Sequence, residues 1–518
     1  MTRATVQAIL RRFRGVETGM QYGFVIDQRK CIGCHACTVA CKAENEVPLG
    51  SFRTWVKAVD KGVFPETRRH FTVLRCNHCD QAPCVEICPV TALHKRPDAI
   101  VDLDRDLCIG CRACMQACPY DALYLNEDRG VVEKCHFCAH RTERGMLPAC
   151  VIVCPEEAIV AGDPGDPESP IAALIGGEKV SRRKVERGTE PRVWYVDALE
   201  EALLPGRARE AEAYIWSERA PHDRPPTLPD HPPDPHLTVT LDAPHKPAWG
   251  WHIWAYMLTK NIAAGAALTA PFLAPAGLEA GFLRDLLPEV VALVFLALTG
   301  ALLVHDLARP DRFLLLITRG NPSSWLVKGT WVLGLFGLLL AAGPLLRAIG
   351  APAAAEAARW LNLPVALVAS GYTAFLFKQC AGRRLWMQRG FFTALLLRAA
   401  GLGAGLGLLL AAVQGVERDG FVFTFQVLLM ANVGMMIFEI ARGLRDEEAA
   451  RAHAVFKTDP GALVGILLLM AVPLLLSLRG DGVGLPVWAA GASLLGLALG
   501  ILLFERAFVK AGQAVPIS

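Results

Sequence analysis

Two hydrophobic patterns divide this chain. From Trp251 onward the apolar positions run together in eight segments near the ~20 residues that cross a bilayer, at roughly 251–273, 287–307, 324–346, 360–379, 390–413, 420–442, 460–478 and 486–507. Before Trp251 they come in short strings. Phe24-Val25-Ile26-Asp27, Arg53-Thr54-Trp55-Val56, Phe71-Thr72-Val73-Leu74, Ile100-Val101-Asp102-Leu103 and Arg192-Val193-Trp194-Tyr195-Val196 read as strands. Asp197, with Glu200 three residues on, reads as a capping box opening a short helix. Val6, Ile9, Leu10, Phe13 and Val16 space like one face of a basic helix that holds Arg11 and Arg12; no apolar run follows, so a cleaved twin-arginine signal is not expected. Between Pro221 and Pro247 nine of 27 residues are proline, the mark of an extended linker.

Composition sharpens this division. Of the 518 residues 53% are hydrophobic, and the net charge of +3 is too small to suggest a nucleic-acid surface. The expected organisation is a basic arm over 1–20, a cysteine-bearing domain over 21–200, a linker over 201–250 and a membrane domain over 251–518.

Sixteen of the seventeen cysteines fall between Cys31 and Cys154, in four groups of four. Cys31, Cys34, Cys37 and Cys41 form a C-x2-C-x2-C-x3-C run, repeated by Cys108, Cys111, Cys114 and Cys118. Cys76, Cys79, Cys84 and Cys88, and then Cys135, Cys138, Cys150 and Cys154, keep the closing C-x3-C-P and stretch the middle gap. Three thiolates from one tight loop suit three irons of a cubane, and the fourth reaches a neighbouring cluster. Zinc wants two C-x2-C pairs per ion, and a disulfide framework suits a small secreted domain with an even count, so neither fits as well. A strand before the first group and another before the third make a duplicated ferredoxin-like unit. The expected fold class is therefore an α+β duplicated ferredoxin-like iron–sulfur domain followed by an all-α eight-helix transmembrane bundle.

Group order, the CNHC-x4-C-x3-CP second group and the CHFC-x11-C-x3-CP fourth group resemble the four-cluster electron-transfer subunits of the dimethyl-sulfoxide-reductase superfamily, polysulfide reductase included. That resemblance implies four [4Fe-4S] clusters. Their ligands would be Cys31, Cys34, Cys37 with Cys154; Cys135, Cys138, Cys150 with Cys41; Cys76, Cys79, Cys84 with Cys118; and Cys108, Cys111, Cys114 with Cys88. The stretch His305 to Phe313, the run Asn321-Pro322-Ser323-Ser324-Trp325 and the ending Ala511 to Pro516 resemble the NrfD/PsrC-type quinone-reactive anchor. Subunits that are normally separate would here be one polypeptide.

That anchor family places its quinol pocket near the cluster-facing end of the first helices, which directs attention to His252, Asn261 and Asp306, with Tyr372 a weaker candidate, as quinone-contacting or proton-exchanging groups. The plainer reading is that Asp306 pairs with Arg309 at a helix end. Lys260 lies beside Asn261, and Arg398, Gln426, Asn432 and Glu439 are further polar residues within spans, open to a proton path or to structural pairing such as Glu439 with Arg442. A haem held by His252 and His305 is a third possibility, and Cys380 reads as a packing thiol.

Loops on the cluster-domain side carry thirteen Lys and Arg against five opposite, which by the positive-inside rule sets the clusters in the cytoplasm of a prokaryotic cell membrane. No nucleotide loop, nucleophile triad or molybdopterin-sized domain is visible, so substrate chemistry is expected in a partner. The resemblance makes that partner a molybdenum or tungsten bis-pterin subunit exchanging electrons with menaquinone or ubiquinone. Alternatives are a module of alternative complex III, the quinone link of a nickel-iron hydrogenase, a proton-translocating module and a structural tether. Iron quantitation of an anaerobic preparation should give about sixteen irons per chain; a value far below that contradicts the four-cluster reading.

Overall fold

A computed structural model describes residues 19–210, 213–214, 217–218, 234–243, 247–416, 419–444, 446–476 and 485–518. The basic helix expected over Val6 to Val16 and most of the proline-rich stretch lie outside them.

The cysteine-bearing domain is built on two four-stranded sheets. In the first, Gly23–Asp27 lies between Ile159–Gly162, antiparallel to it, and Val193–Val196, parallel to it, with Val180–Ser181 at the edge. Phe24, Val25 and Ile26 are fully buried in it, each worth roughly 1.5–3 kcal/mol of burial. The second sheet orders Ala208–Glu210, Asp234–Leu241, Thr54–Val63 and Glu66–Arg75. Its long hairpin is the pair of strands expected between the first two cysteine groups.

Two expectations are corrected here. Asp234–Leu241 falls inside the stretch taken as linker, yet it pairs with Thr54–Val63 and buries Leu237 and Val239 while Thr238 and Thr240 stay half-buried; Pro235 is tolerated because it stands at the strand's start. Asp197 does not cap a helix: it adopts φ 49°, and the helix begins at Glu200 after Leu199 without a side-chain cap.

Duplication is visible in the backbone. Cys31-Ile32-Gly33-Cys34-His35-Ala36-Cys37 and Cys108-Ile109-Gly110-Cys111-Arg112-Ala113-Cys114 differ at one residue, and His35 and Arg112 share φ 60°, ψ 7° immediately before their helices. Gly33 and Gly110 both have positive φ, 70° and 68°. Each lets the loop press on a neighbour: Gly33 on the ring of Phe71, Gly110 on Ala308 of the membrane domain.

The membrane domain contains helices α1 (Trp251–Thr269), α2 (Leu287–His305), α3 (Trp325–Ala348), α4 (Pro352–Gln379), α5 (Phe391–Gln414), α6 (Asp419–Ala441), α7 (Glu447–Thr458), α8 (Pro460–Leu476) and α9 (Val487–Ala514). Among the described residues six helices are long and apolar enough to cross a membrane, or seven if α7 and α8, bent by 57° at their junction, form one span. Helix α1 is not among the six, because His252, Lys260 and Asn261 lower its hydropathy. It packs against α2, α4, α5 and α9, so its polar residues face protein. Gly265 on α1 and Gly403 on α5 bring those backbones together; a Cβ on Gly265 would stand 2.3 Å from the Ala399 carbonyl.

The two halves lock through loops. Asn321 donates from its backbone to the Pro89 carbonyl at 2.7 Å and from its side chain to the Cys88 carbonyl at 2.9 Å, and Ser324 donates to Ile87 at 2.8 Å. Arg312 donates to the carbonyls of Arg105 and Cys108 at 2.8 and 3.0 Å. Gln513 accepts from Gln116 at 2.6 Å and from the Trp249 backbone at 2.9 Å. Gly110→Ala should loosen this lock by about 1–3 kcal/mol, since its Cβ would stand 2.5 Å from that of Ala308; limited proteolysis should release the cysteine-bearing domain earlier than in Gly33→Ala.

Candidate functional site

The structure gathers the cysteines into quartets drawn from different groups. Cys31, Cys34, Cys37 and Cys154 line one cavity; Cys41, Cys135, Cys138 and Cys150 a second; Cys88, Cys108, Cys111 and Cys114 a third. Cys76, Cys79, Cys84 and Cys118 are mutual electrostatic neighbours. No group of three or more His, Cys, Asp or Glu among the described residues closes to the spacing of a single metal ion; the sulfurs stand around a larger space.

Burial pushes the Cys37 and Cys118 thiols up to about 11 and that of Cys135 to about 12. Left to themselves these three would be neutral at pH 7. Thiolates become tolerable there only against compensating positive charge, which iron supplies when bound. Four sulfur donors per quartet fit an iron–sulfur cubane.

The quartets form a line. Cys37 is within electrostatic reach of Cys150, Cys135 of Cys76, and Cys114 of Cys84. At one end Cys34 is exposed, with Cys31 and Cys154 half-buried. At the other, the quartet containing Cys108 and Cys111 rests on the membrane domain, where Trp249 donates through Nε1 to the Cys111 carbonyl at 3.2 Å.

Beneath that last quartet three of the expected residues meet. Arg112 donates through Nη2 to Asp306 Oδ1 at 2.6 Å and to the Asp306 carbonyl. Asp306 Oδ1 also stands 3.3 Å from His252 Nδ1. His252 Nε2 is 2.9 Å from His305 Nδ1, and Trp251 stacks on the His252 ring at 4.1 Å. The pairing expected between Asp306 and Arg309 does not form: Arg309 binds Asp311 at 2.8 Å. Because the two imidazoles touch each other, they leave no room for a haem iron between them in this arrangement.

Asn261 and Tyr372 lie elsewhere. Asn261 is fully buried, with Nδ2 3.5 Å from Glu505 Oε1, and Tyr372 lies against Gly329 and under the Lys260 ammonium, 5.0 Å from its ring centre. They belong to a buried ionic network in the bundle. Lys260 donates to Thr373 at 2.8 Å and to the Ser370 carbonyl; Arg398 binds Glu439 at 2.9 Å and Glu505 at 3.3 Å. Glu439 therefore pairs across helices with Arg398, while Arg442 donates to the Arg389 carbonyl at 2.6 Å. Asn432 bonds the Leu397 and Leu428 carbonyls, both at 2.8 Å, and Gln426 is exposed on the bundle surface, outside the network. Cys380 is fully buried, its thiol 3.6 Å from the Leu376 carbonyl.

Sequence reasoning missed Arg112, Trp249 and Glu505. Arg112 was detectable as the one departure between the two repeated cysteine loops, and Glu505 as an ionisable residue inside an apolar run.

The model of the polysulphide reductase, NrfD family matches residues 241–510, more than half of the chain. This protein belongs to the polysulphide reductase NrfD family. The 4Fe-4S dicluster domain model matches residues 67–164 and the 4Fe-4S binding domain model residues 22–43, both ahead of the NrfD part. The B subunit of tetrathionate reductase from Salmonella typhimurium is 42% identical over 202 residues, 38% of this chain and 80% of its own length. The arsenate respiratory reductase iron-sulfur subunit of a Shewanella species is 36% identical, over 34% of this chain and 96% of its own length. The B component of polysulfide reductase from Wolinella succinogenes is 39% identical, over 34% of this chain and 94% of its own. The chain thus joins an iron–sulfur electron-transfer part, homologous to reductase B subunits, to an NrfD-type multi-pass membrane anchor.

Arg398→Met would leave Glu439 and Glu505 buried without their shared cation. Removing one partner of such a network costs about 3–5 kcal/mol, and thermal unfolding of the detergent-solubilised NrfD protein should show it.

Proposed function

We propose that this chain conducts electrons between a separate molybdenum or tungsten bis-pterin catalytic subunit and the quinone pool, menaquinone or ubiquinone. Four [4Fe-4S] clusters carry them, one in each cysteine quartet. The observation that carries this reading is the contact from Arg112, inside a cysteine loop, through Asp306 to His252: the last quartet stands directly over a membrane-domain histidine pair.

Electrons exchange with the partner at the exposed end. Ile32 beside Cys34, Val153 beside Cys154, and Val39 and Ile152 on two helices that touch each other are exposed, apolar side chains of the kind that mark a protein contact. The named relatives, subunits of multi-subunit reductases, support a catalytic partner there.

At the membrane end His252 and Asp306 form the quinone-facing pair. A quinone changes its proton count when it changes its electron count, and a buried carboxylate beside an imidazole can pass that proton. Arg112 holds the carboxylate and His305 the far side of the ring. Asn261 and Tyr372 act deeper, through the Lys260 network. That network, four ionisable side chains sealed inside the bundle, favours a second reading in which the anchor also moves protons across the membrane. Counting α1, and α7 with α8 as one span, the described residues of the bundle supply eight spans.

The cluster domain is assigned to the cytoplasmic side, supported by the loop charge bias. Three of the thirteen cations counted for it, Arg312, Arg383 and Arg451, donate to the cluster domain itself, so the bias that faces lipid is smaller than the count. Protease added to intact spheroplasts should leave the cluster domain uncut.

Asp306→Asn should cut quinone-linked turnover by about 10²-fold while chemically reduced clusters keep their full intensity. Unchanged turnover removes Asp306 from the site. Metal analysis of the native complex should find molybdenum or tungsten with a large co-purifying subunit; nickel or haem c in its place moves the assignment to a hydrogenase or to alternative complex III.

A further inference from the structure

Two arginines line the cavity of the quartet formed by Cys41, Cys135, Cys138 and Cys150, and they are in opposite situations. Arg53 is paired with a carboxylate: it binds Glu133, which it shares with Arg105, at 2.9 Å and donates to the Tyr124 hydroxyl at 3.2 Å and to the Asn45 side-chain carbonyl at 3.3 Å. Arg75 is not. It is 1% exposed, makes no ion pair with a carboxylate among the described residues, and its Nε and Nη2 find no hydrogen-bond acceptor there. Its one side-chain bond is from Nη1 to Cys150 Sγ at 3.3 Å, and its guanidinium lies over the Phe24 ring, 4.4 Å from the centre. The ligand sulfurs it faces are those of Cys150 and Cys135 and, from the neighbouring quartet, Cys37.

A buried cation without a counter-ion is strongly destabilising. Arg75 can be held there only if the thing it faces is negative, and what it faces is the sulfur cavity. Phe24 and the hairpin strand Glu66–Arg75 fix it in place, so its charge cannot turn to solvent.

We propose that Arg75 is a positioning residue that raises the reduction potential of the centre held by Cys41, Cys135, Cys138 and Cys150. The inference rests on the cluster reading above. Taking up one electron adds one negative charge to that centre, and a fixed positive charge with an N–H donor to a ligand sulfur favours the reduced form. Asn45 works in the same direction, its amide 3.7 Å from Cys41 Sγ and 3.9 Å from Cys138 Sγ. Among the described residues backbone N–H groups donate to the other quartets, from His78 to Cys76, Leu93 to Cys88 and Ala158 to Cys154, and these donors are neutral. Arg75 thereby sets how readily electrons settle at the second position of the line.

The test is an anaerobic redox titration of the full chain in detergent, followed by electron paramagnetic resonance, on the wild type, Arg75→Gln, Arg75→Met and Arg75→Lys. Cys138→Ser identifies the signal belonging to this centre. At the wild-type midpoint of that signal the neutral variants should show at least a tenfold fall in the reduced-to-oxidised ratio, which is about 59 mV for a one-electron couple. Arg75→Lys, which keeps the charge, should show less than half that shift; the neighbouring centre, which Arg75 faces through Cys37 without a hydrogen bond, should shift less than this one, and the two remaining centres should not move. Unchanged midpoints in the neutral variants, an equal shift in Arg75→Lys, or a shift confined to another centre would overturn the proposal. If both neutral variants lose this centre's iron and Arg75→Lys keeps it, the charge is what the anionic centre requires and the proposal stands; loss in all three overturns it. Failure of the cluster reading itself would appear separately, as wild-type iron far below about sixteen per chain, and would take the proposal with it.

Discussion

Burying thiolates demands that positive charge be buried with them, and the iron–sulfur half of this protein is organised by that demand. The cysteine loops are short and turn through left-handed residues so that sulfurs converge from several directions. Their surroundings then divide the remaining electrostatic work. Arg53 and Arg105 share the single carboxylate of Glu133 beside one quartet, while backbone N–H donors serve the others. The membrane half repeats the pattern on a different scale: Lys260, Arg398, Glu439 and Glu505 sit inside the bundle as two basic and two acidic side chains, with Arg398 paired to both glutamates.

A single repeated loop has been put to two uses. In its first copy the glycine presses on Phe71 and the following His35 stays within the cluster domain; in its second the glycine presses on Ala308 and Arg112 reaches Asp306. One residue change between the copies turns an internal packing loop into the joint with the anchor. The carbonyls of Ile87, Cys88, Pro89, Cys108 and Cys111 are the acceptors at that joint, so the backbone that positions the ligands is the backbone that holds the membrane domain.

Much of this was legible in the amino-acid order because the constraints are local. Cysteine spacing reflects loop geometry, and the short apolar string ending in Trp55-Val56 reflects a strand that is buried at its start. What stayed hidden depends on distant partners or on competing local signals. Prolines masked the strand Asp234–Leu241, although Leu237 and Val239 alternate with threonines. Arg398 meets Glu439 from 41 positions away, whereas the i,i+3 rule pointed to Arg442. Asp306 looked satisfied by Arg309 three residues on, and its actual partner lies 194 positions earlier. Asn261 was grouped with His252 because they are close along one helix, yet the helix carries the one into the bundle and leaves the other at its mouth.

Joining both halves in one polypeptide alters what their interface must accomplish. Two separate subunits have to recover the entropy of association from their contact, while tethered ones meet at an effective concentration on the order of millimolar. The joint can therefore be made largely of hydrogen bonds to loop carbonyls, chosen for where they hold the last cysteine quartet and not for affinity. Every cluster domain reaches the bilayer already matched to its own anchor, in fixed one-to-one proportion, and dilution in the membrane cannot part the conductor from its terminal.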